Sequence, residues 1–258
     1  MKYIIVKGKD RGSIVFIHGN SSSSSVFNEV PKSKLITQTK IVVDLPGHGE
    51  SVYEYENEED FFISSYREKL IKLINTLDGN ILLVGHSLGG HIAIEIAPQI
   101  HKLKGILIFG TPPLKKPLNL EEAFLFSPEL QTFFTEDVSE IAAREAVEVT
   151  LFNKQCASVI IEDFKRTNPK VRKAIAADIA ENSYLNQLKI FLELPIPKYI
   201  IAGTHDPSVN LEYIKEVARK SCSCELFIFQ NCGHYPSLEK PVEFNKTLEK
   251  ITKDVFNT

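Results

Sequence analysis

The sequence predicts a doubly wound α/β fold: a mostly parallel sheet of about seven strands, with helices on both faces and a helical insertion at its carboxyl edge. Three observations carry this expectation. Short apolar runs recur along the chain, each passing into turn residues and then a helical pattern. Those runs are continuous rather than alternating, which is the pattern of strands buried on both faces and hence of a parallel sheet. One stretch of roughly 80 residues lacks any strand pattern, several times what a single crossover needs.

Taken in order, Tyr3-Ile4-Ile5-Val6 reads as a first, outer strand. Residues 14–17 run into His18-Gly19-Asn20, and residues 40–43 run into Asp44-Leu45-Pro46-Gly47. Phe61, Phe62, Tyr66, Leu70, Leu73, Ile74 and Leu77 then form one apolar stripe at helical spacing. Residues 81–84 enter Gly85-His86-Ser87, followed by a helix carrying Ile92, Ala93, Ile96 and Ala97. Residues 106–109 enter Gly110-Thr111-Pro112-Pro113. Helical patterns dominate from 120 to 192, bracketed by Pro112-Pro113 and by Pro195 and Pro197. We therefore expect residues 112–194 to be a helical cap insertion, and 1–111 with 195–258 to be one core. Residues 199–202 precede Gly203-Thr204-His205-Asp206, and 226–229 precede Asn231-Cys232-Gly233-His234. Val242, Phe244, Leu248, Ile251 and Val255 mark a last helix. Ligands in such folds sit at the carboxyl ends of the strands.

Composition narrows the function classes. The chain has 258 residues, 43% hydrophobic and 24% charged, which fits a globular protein and excludes disorder, collagen and coiled coil. With 30 Lys+Arg against 33 Asp+Glu, no basic excess exists to neutralise phosphates, so nucleic acid is not the expected partner. No apolar run approaches membrane-spanning length, and the start MKYIIVKGKD has no signal-peptide core, so no membrane partner and a cytoplasmic location are expected. Cys156, Cys222, Cys224 and Cys232 lack zinc-site spacing and read mostly as small core residues of a reduced protein, an oxidised Cys222 or Cys224 being the alternative. Neither a metal cluster nor a phosphate-cradling loop is visible, so no cofactor is expected.

The chemistry lies in Gly85-His86-Ser87-Leu88-Gly89, a G-x-S-x-G pattern. Alone it is a weak signal, but here a buried strand precedes it and a helix follows. That setting places a serine on a strained elbow with its hydroxyl exposed, and the glycines are needed where a side chain would clash. A serine hydroxyl is a poor nucleophile at neutral pH and needs a base held by a third group. Asp206 and His234, in loops after two later strands, supply both at the same sheet edge. In this reading His234 takes the Ser87 proton and returns it to the leaving group, while Asp206 orients the ring and stabilises the imidazolium.

These motifs, together with Asp44-x-Pro-Gly-His-Gly-x-Ser51 and Gly233-His234 followed by Glu239 and Pro241, resemble the α/β-hydrolase superfamily over nearly the whole chain. The resemblance implies the α/β-hydrolase fold and an oxyanion hole built from the backbone N–H groups of Leu88 and Asn20. It also fits the cap, since members commonly carry helical caps after the sixth strand. The short N-terminus implies that one outer strand is missing. A serine nucleophile and the absence of Trp set the chain apart from epoxide hydrolases and haloalkane dehalogenases, and its His-Gly loop is unlike that of plant hydroxynitrile lyases. The expected activity is hydrolysis of a small or medium carboxylic ester with an apolar acyl part, through an acyl-enzyme on Ser87. The alternatives are a thioesterase or acyltransferase, a C–C hydrolase or lactonase, and a non-catalytic receptor that keeps the pocket.

Other residues carry less weight. His86 and His205 read as packing or supporting groups rather than bases, and His48 as structural. The serines at 21–25 read as a flexible, solvated lead into a helix with one serine as its N-cap, or as part of a substrate entrance. Phe124, Phe126, Phe133 and Phe134 are candidates for an acyl pocket, the alternative being that they pack the cap helices together. Cap charge is polarised: residues 121–148 hold eight acids and one base, whereas 154–173 hold six bases and two acids. Lys165, Arg166, Lys170, Arg172 and Lys173 form a basic patch. An acidic carrier protein is a candidate partner there, since the pimeloyl-carrier methyl esterases resemble this chain in length and cap placement; a solvated helix face is the alternative.

Overall fold

The computed structural model describes residues 1–55 and 57–256. Among the described residues, seven strands form one sheet in the order β1-β3-β2-β4-β5-β6-β7. They are β1 (Tyr3–Val6), β2 (Ser13–Ile17), β3 (Thr39–Val43), β4 (Ile81–His86), β5 (Leu103–Phe109), β6 (Lys198–Gly203) and β7 (Cys224–Phe229). Only β1 runs antiparallel, against β3; every other pairing is parallel. Each apolar run read from the sequence is one of these strands. The two edge strands are the exceptions to burial on both faces: Tyr3, Ile4 and Ile5 of β1 are all exposed, and in β7 only Phe229 is fully buried.

Helices follow the strands in register with the sequence. α1 (Glu29–Lys32) lies between β2 and β3, α2 (Ile63–Ile74) between β3 and β4, and α3 (Leu88–Ile96) between β4 and β5. Between β5 and β6 come α4 (Leu120–Ala123), α5 (Glu140–Val149), α6 (Ala157–Arg166), α7 (Pro169–Ala180) and α8 (Gln187–Glu193). α9 (Leu211–Arg219) connects β6 to β7, and α10 (Pro236–Glu239) and α11 (Pro241–Phe256) close the chain.

Because successive strand residues point to opposite faces, the doubly apolar strands feed two cores. Val15, Ile41, Leu83, Ile106 and Ile200 meet α2, α3 and α9 on one face. Ile14, Val42, Leu82, Leu107 and Tyr199 meet α11 and the turn around Val26 and Phe27 on the other. Along α11, Phe244, Leu248, Ile251 and Val255 make the buried stripe, whereas Val242 is exposed and does not belong to it. The β5–β6 helices divide between the two cores, with α7 and α8 contributing to the first and α5 and α6 to the second.

The chain leaves the adjacent ends of β2 and β4 in opposite directions. After β2 it enters the second core through Val26, Phe27 and Val30; after β4 it enters the first through α3. Such a reversal opens a crevice at the carboxyl ends of neighbouring strands, and this fixes where a ligand can sit.

Candidate active site

Ser87 is the entire connection between β4 and α3. Its backbone lies at φ 50°, ψ −121°, a conformation that costs a non-glycine residue about 1–3 kcal/mol. The surroundings hold it there. The Ser87 N–H donates to the Phe109 carbonyl at 2.9 Å, and its own carbonyl accepts from the Gly90 N–H, the His91 N–H and the Thr111 hydroxyl. A Cβ on Gly85 would come within 2.5 Å of Gly90 Cα, and one on Gly89 within 2.2 Å of the Ile17 carbonyl oxygen. Both glycines are therefore demanded by backbone packing. Among the described residues no hydrogen bond ties down the Ser87 side chain, which lines an adjoining cavity.

Asn20 follows β2 on the other side of the crevice. Two buried imidazoles fasten its loop. His18 Nε2 accepts from the Leu45 N–H at 3.0 Å, so its proton sits on Nδ1 and goes to the Gly19 carbonyl at 2.7 Å. His48 Nε2 accepts from the Ser21 N–H at 3.2 Å, so its Nδ1 donates to the Pro46 carbonyl at 3.0 Å. Burial pushes both rings below the ordinary histidine value and keeps them neutral. The Asn20 amide donates to the Phe133 carbonyl and so ties this loop to the β5–β6 segment. Among the described residues the backbone N–H groups of Asn20 and Leu88 have no protein acceptor, and both residues line the cavity.

Asp206 and His234 meet across the ends of β6 and β7. His234 Nδ1 donates to Asp206 Oδ2 at 2.8 Å, with both side chains nearly buried. Asp206 Oδ1 accepts from the Ser208 hydroxyl at 2.7 Å and from the N–H groups of Ser208 and Val209. Burial by itself would raise the Asp206 carboxyl. The neighbouring His234 and the hydrogen bonds from His234 and Ser208 outweigh it and hold the group below the usual carboxylate range. Ser208 Oγ also lies 3.0 Å from His234 Nδ1, so it touches both partners. Gly110 makes room for the imidazole, since a Cβ there would fall 2.7 Å from His234 Cε1. The loop carrying His234 is anchored by Glu239, whose carboxylate accepts the N–H groups of Gly233, Tyr235, Phe152 and Asn153.

The cavity measures about 370 Å³ and is mostly apolar. Ser87, His234, Asn20 and Leu88 all line it, and Phe124, Phe126, Phe133 and Phe134 contribute to its walls. Phe133 also packs edge-on against Phe164 at 5.5 Å, so it serves helix packing and the cavity together. Phe126 and Phe134 are largely exposed and form part of the rim.

The remaining histidines sort by environment. His86 donates from Nε2 to the His234 carbonyl at 3.0 Å, stacks on Phe109, and has a buried Nδ1 with no partner among the described residues. Burial holds it neutral. His205 is exposed against Thr204 and Phe152. The serines at 21–25 depart from the flexible, solvated reading: Ser21, Ser22 and Ser23 are buried. Ser23 does cap the following turn through the Ser25 N–H, and the Ser23 and Ser25 hydroxyls both donate to Asp163 of α6. A polar run next to a turn carries no sign of a carboxylate 140 residues later, and that carboxylate is what makes the burial of Ser23 tolerable, while the Ser21 hydroxyl donates to Asn20 Oδ1.

The basic residues of α6 and α7 are largely engaged within the protein. Arg172 is buried over Phe164 and donates to the Thr135 and Glu136 carbonyls. Lys165, Arg166 and Lys173 pair with Glu140, Glu50 and Glu58. Sequence reasoning missed Ser208 and His91, although the D-x-S spacing at Asp206 and a histidine four residues after the elbow serine were legible signals. Among the described residues, no group of three or more His, Cys, Asp or Glu is placed to hold a metal ion, and no helix is long and apolar enough to cross a membrane.

Comparisons with known proteins agree with this architecture. The sequence model of the alpha/beta hydrolase family matches residues 14–247. An uncharacterised protein of Mycobacterium tuberculosis is 26% identical, covering 93% of this chain and 74% of the relative. A pimeloyl-[acyl-carrier protein] methyl ester esterase of Nitrosospira multiformis is 24% identical over 93% of this chain and 94% of its own length. Among solved structures, an N-acyl homoserine lactonase in complex with N-hexanoyl homoserine lactone superposes with a TM-score of 0.88, at 24% identity, covering 99% and 94% of the two chains.

Proposed function

As the chain belongs to the alpha/beta hydrolase family, we propose that it is a serine hydrolase that cleaves carboxylic esters with an apolar acyl part. The observation that carries this reading is the convergence of a strained Ser87 and an Asp206-held His234 on one apolar cavity. In the proposed reaction, His234 Nε2 takes the Ser87 proton as Oγ attacks the ester carbonyl. The Asn20 and Leu88 N–H groups receive the charge on the carbonyl oxygen, a role in which each donor is typically worth about 3 kcal/mol. His234 then protonates the leaving alcohol. Water, deprotonated by the same ring, attacks the acyl-enzyme and releases the acid. Residues 112–194 act as the cap that supplies the acyl wall and limits water.

Covalent labelling tests this directly. A fluorophosphonate should label the intact protein and fail on Ser87→Ala. Absence of labelling on the intact chain overturns the enzyme reading. A p-nitrophenyl ester series from acetate to decanoate should then show a rate maximum at intermediate length, as expected of a bounded apolar cavity.

The carrier-protein esterases among the relatives support a second reading, in which the acyl group arrives linked to an acidic carrier. Arg172 is excluded as a docking residue by its burial, which leaves Lys170 and Lys173 on α7 as the residues to test. Lys170→Glu with Lys173→Glu should impair turnover of carrier-linked esters far more than of free esters. Equal effects on both remove this reading.

A further inference from the structure

One cavity residue has a role that ester hydrolysis leaves unassigned. His91 follows Ser87 by one turn of α3, its N–H donating to the Ser87 carbonyl at 3.1 Å, and its side chain lines the same cavity. It is 7% exposed, with Phe124 and Tyr184 packed around the ring. Its Nδ1 lies 2.7 Å from Gln187 Oε1. The orientation of that amide is fixed by two further groups. The Leu114 N–H, which can only donate, points at Gln187 Oε1 at 3.2 Å, and Gln187 Nε2 donates to Glu95 Oε1 at 2.8 Å. Turning the amide over would set donor against donor and acceptor against acceptor.

Glu95 is fixed in turn. Its side chain is fully buried, and it accepts the Leu185 N–H and pairs with Arg67 at 2.8 Å. With Oε1 an acceptor, His91 Nδ1 must carry the proton. Burial lowers the ring to about 4, so it bears no second proton at neutral pH. Nε2 is therefore a bare acceptor with no protein partner among the described residues, in a cavity that is otherwise mostly apolar. An acceptor that lines the cavity and whose tautomer is locked through Gln187, Glu95 and Arg67 is specific for donors.

We infer that His91 Nε2 is a specificity subsite, accepting a hydrogen bond from an N–H or O–H carried by the substrate near its scissile carbonyl. The inference deepens the ester-hydrolase reading and rests on it for the position of that carbonyl. The substrate class is thereby narrowed to esters or lactones that bear an amide or hydroxyl close to the reacting bond, with the rest of the acyl chain apolar.

The test uses binding and needs no turnover. Calorimetry on Ser87→Ala compares methyl esters that differ only in an amide N–H against CH₂ attached to the carbon adjacent to the ester carbonyl carbon, on the acyl side. A second matched pair carries the change on the alcohol side. In one pair the N–H ester should bind about fivefold to tenfold tighter. His91→Phe should abolish that preference, and His91→Gln, which keeps an acceptor, should retain part of it. Because the buried variant could disturb folding, ¹⁵N NMR of the unmutated protein provides an independent reading: the His91 ring should be protonated at Nδ1 and bare at Nε2 from pH 6 to 9. Equal affinity within both pairs, no measurable binding of any of the four esters, a preference that survives His91→Phe, or a proton on Nε2 each overturns the inference. Fluorophosphonate labelling keeps the two readings apart. Labelling without N–H preference removes this subsite alone, and preference without labelling removes the hydrolase reading alone.

Discussion

Single side chains decide how the proposed reaction runs. Asp206 accepts from His234 through one carboxylate oxygen and from the Ser208 and Val209 segment through the other. Asp206→Asn would place an amide where the Nδ1 proton needs an acceptor and favour the other tautomer. We expect kcat for ester hydrolysis to fall about 10³-fold to 10⁴-fold with the fold unchanged; a loss under tenfold would remove Asp206 from the proposed role. Ser208→Ala is milder, because two backbone donors to Asp206 remain. It should lower kcat several-fold, leave KM in place, and move the acid limb of the pH–rate profile upward as Asp206 loses a donor. A change confined to KM would instead place Ser208 in substrate contact, since it also lines the cavity. Ser208 was legible only as a serine near an aspartate. Its double contact depends on His234, 26 residues away.

Elements set the spacing that these side chains exploit. The β4–α3 elbow was legible because its requirements are local: a strand, two glycines, and a helix that begins immediately. The reason for Gly89 lies in β2, whose Ile17 carbonyl would meet any Cβ there. Gly89→Ala should therefore destabilise the fold by about 1–3 kcal/mol or more, an overpacking cost against rigid backbone, read as a lower urea midpoint. Glu239 does comparable work at the β7 end by accepting four N–H groups from two segments. Glu239→Ala leaves those donors without a partner at about 1–3 kcal/mol for each that stays buried and unbonded. Esterase activity should drop along with stability, because the His234 loop is one of the two segments held. Wild-type stability in that variant would show that water replaces the carboxylate. The sequence shows Glu239 only as part of a motif, while the Phe152 and Asn153 donors come from more than 80 residues away.

At the scale of the whole molecule, histidine burial couples the fold to pH. Burial lowers His18, His48, His86 and His91 below the ordinary value of 6.5. The unfolded chain takes up protons near that value while the folded protein does not, so the unfolded state binds more protons below it. The stability contributed by each of these rings is complete above pH 6.5 and is lost as pH falls toward its own folded value, which for His91 is about 4. Each ring contributes a slope of about 1.4 kcal/mol per pH unit inside its own window. Urea midpoints should therefore fall steeply from pH 6.5 to 5, and equal midpoints at pH 7.5 and 5 would contradict the assignment. The sequence by itself determined the seven strands, the elbow and the Ser, Asp, His order at strand ends, because backbone periodicity and turn chemistry are written in neighbouring residues. It singled out His234 and read His48 and His86 as structural, yet it left His91 without a role, since an imidazole becomes base, staple or acceptor only through the groups that surround it. Only the tertiary structure decided that the serines at 21–23 are buried, that Arg172 holds backbone carbonyls, and that His91 presents a bare nitrogen to the cavity. Those outcomes depend on desolvation and, for Ser23, Arg172 and His91, on a partner supplied from a distant part of the chain.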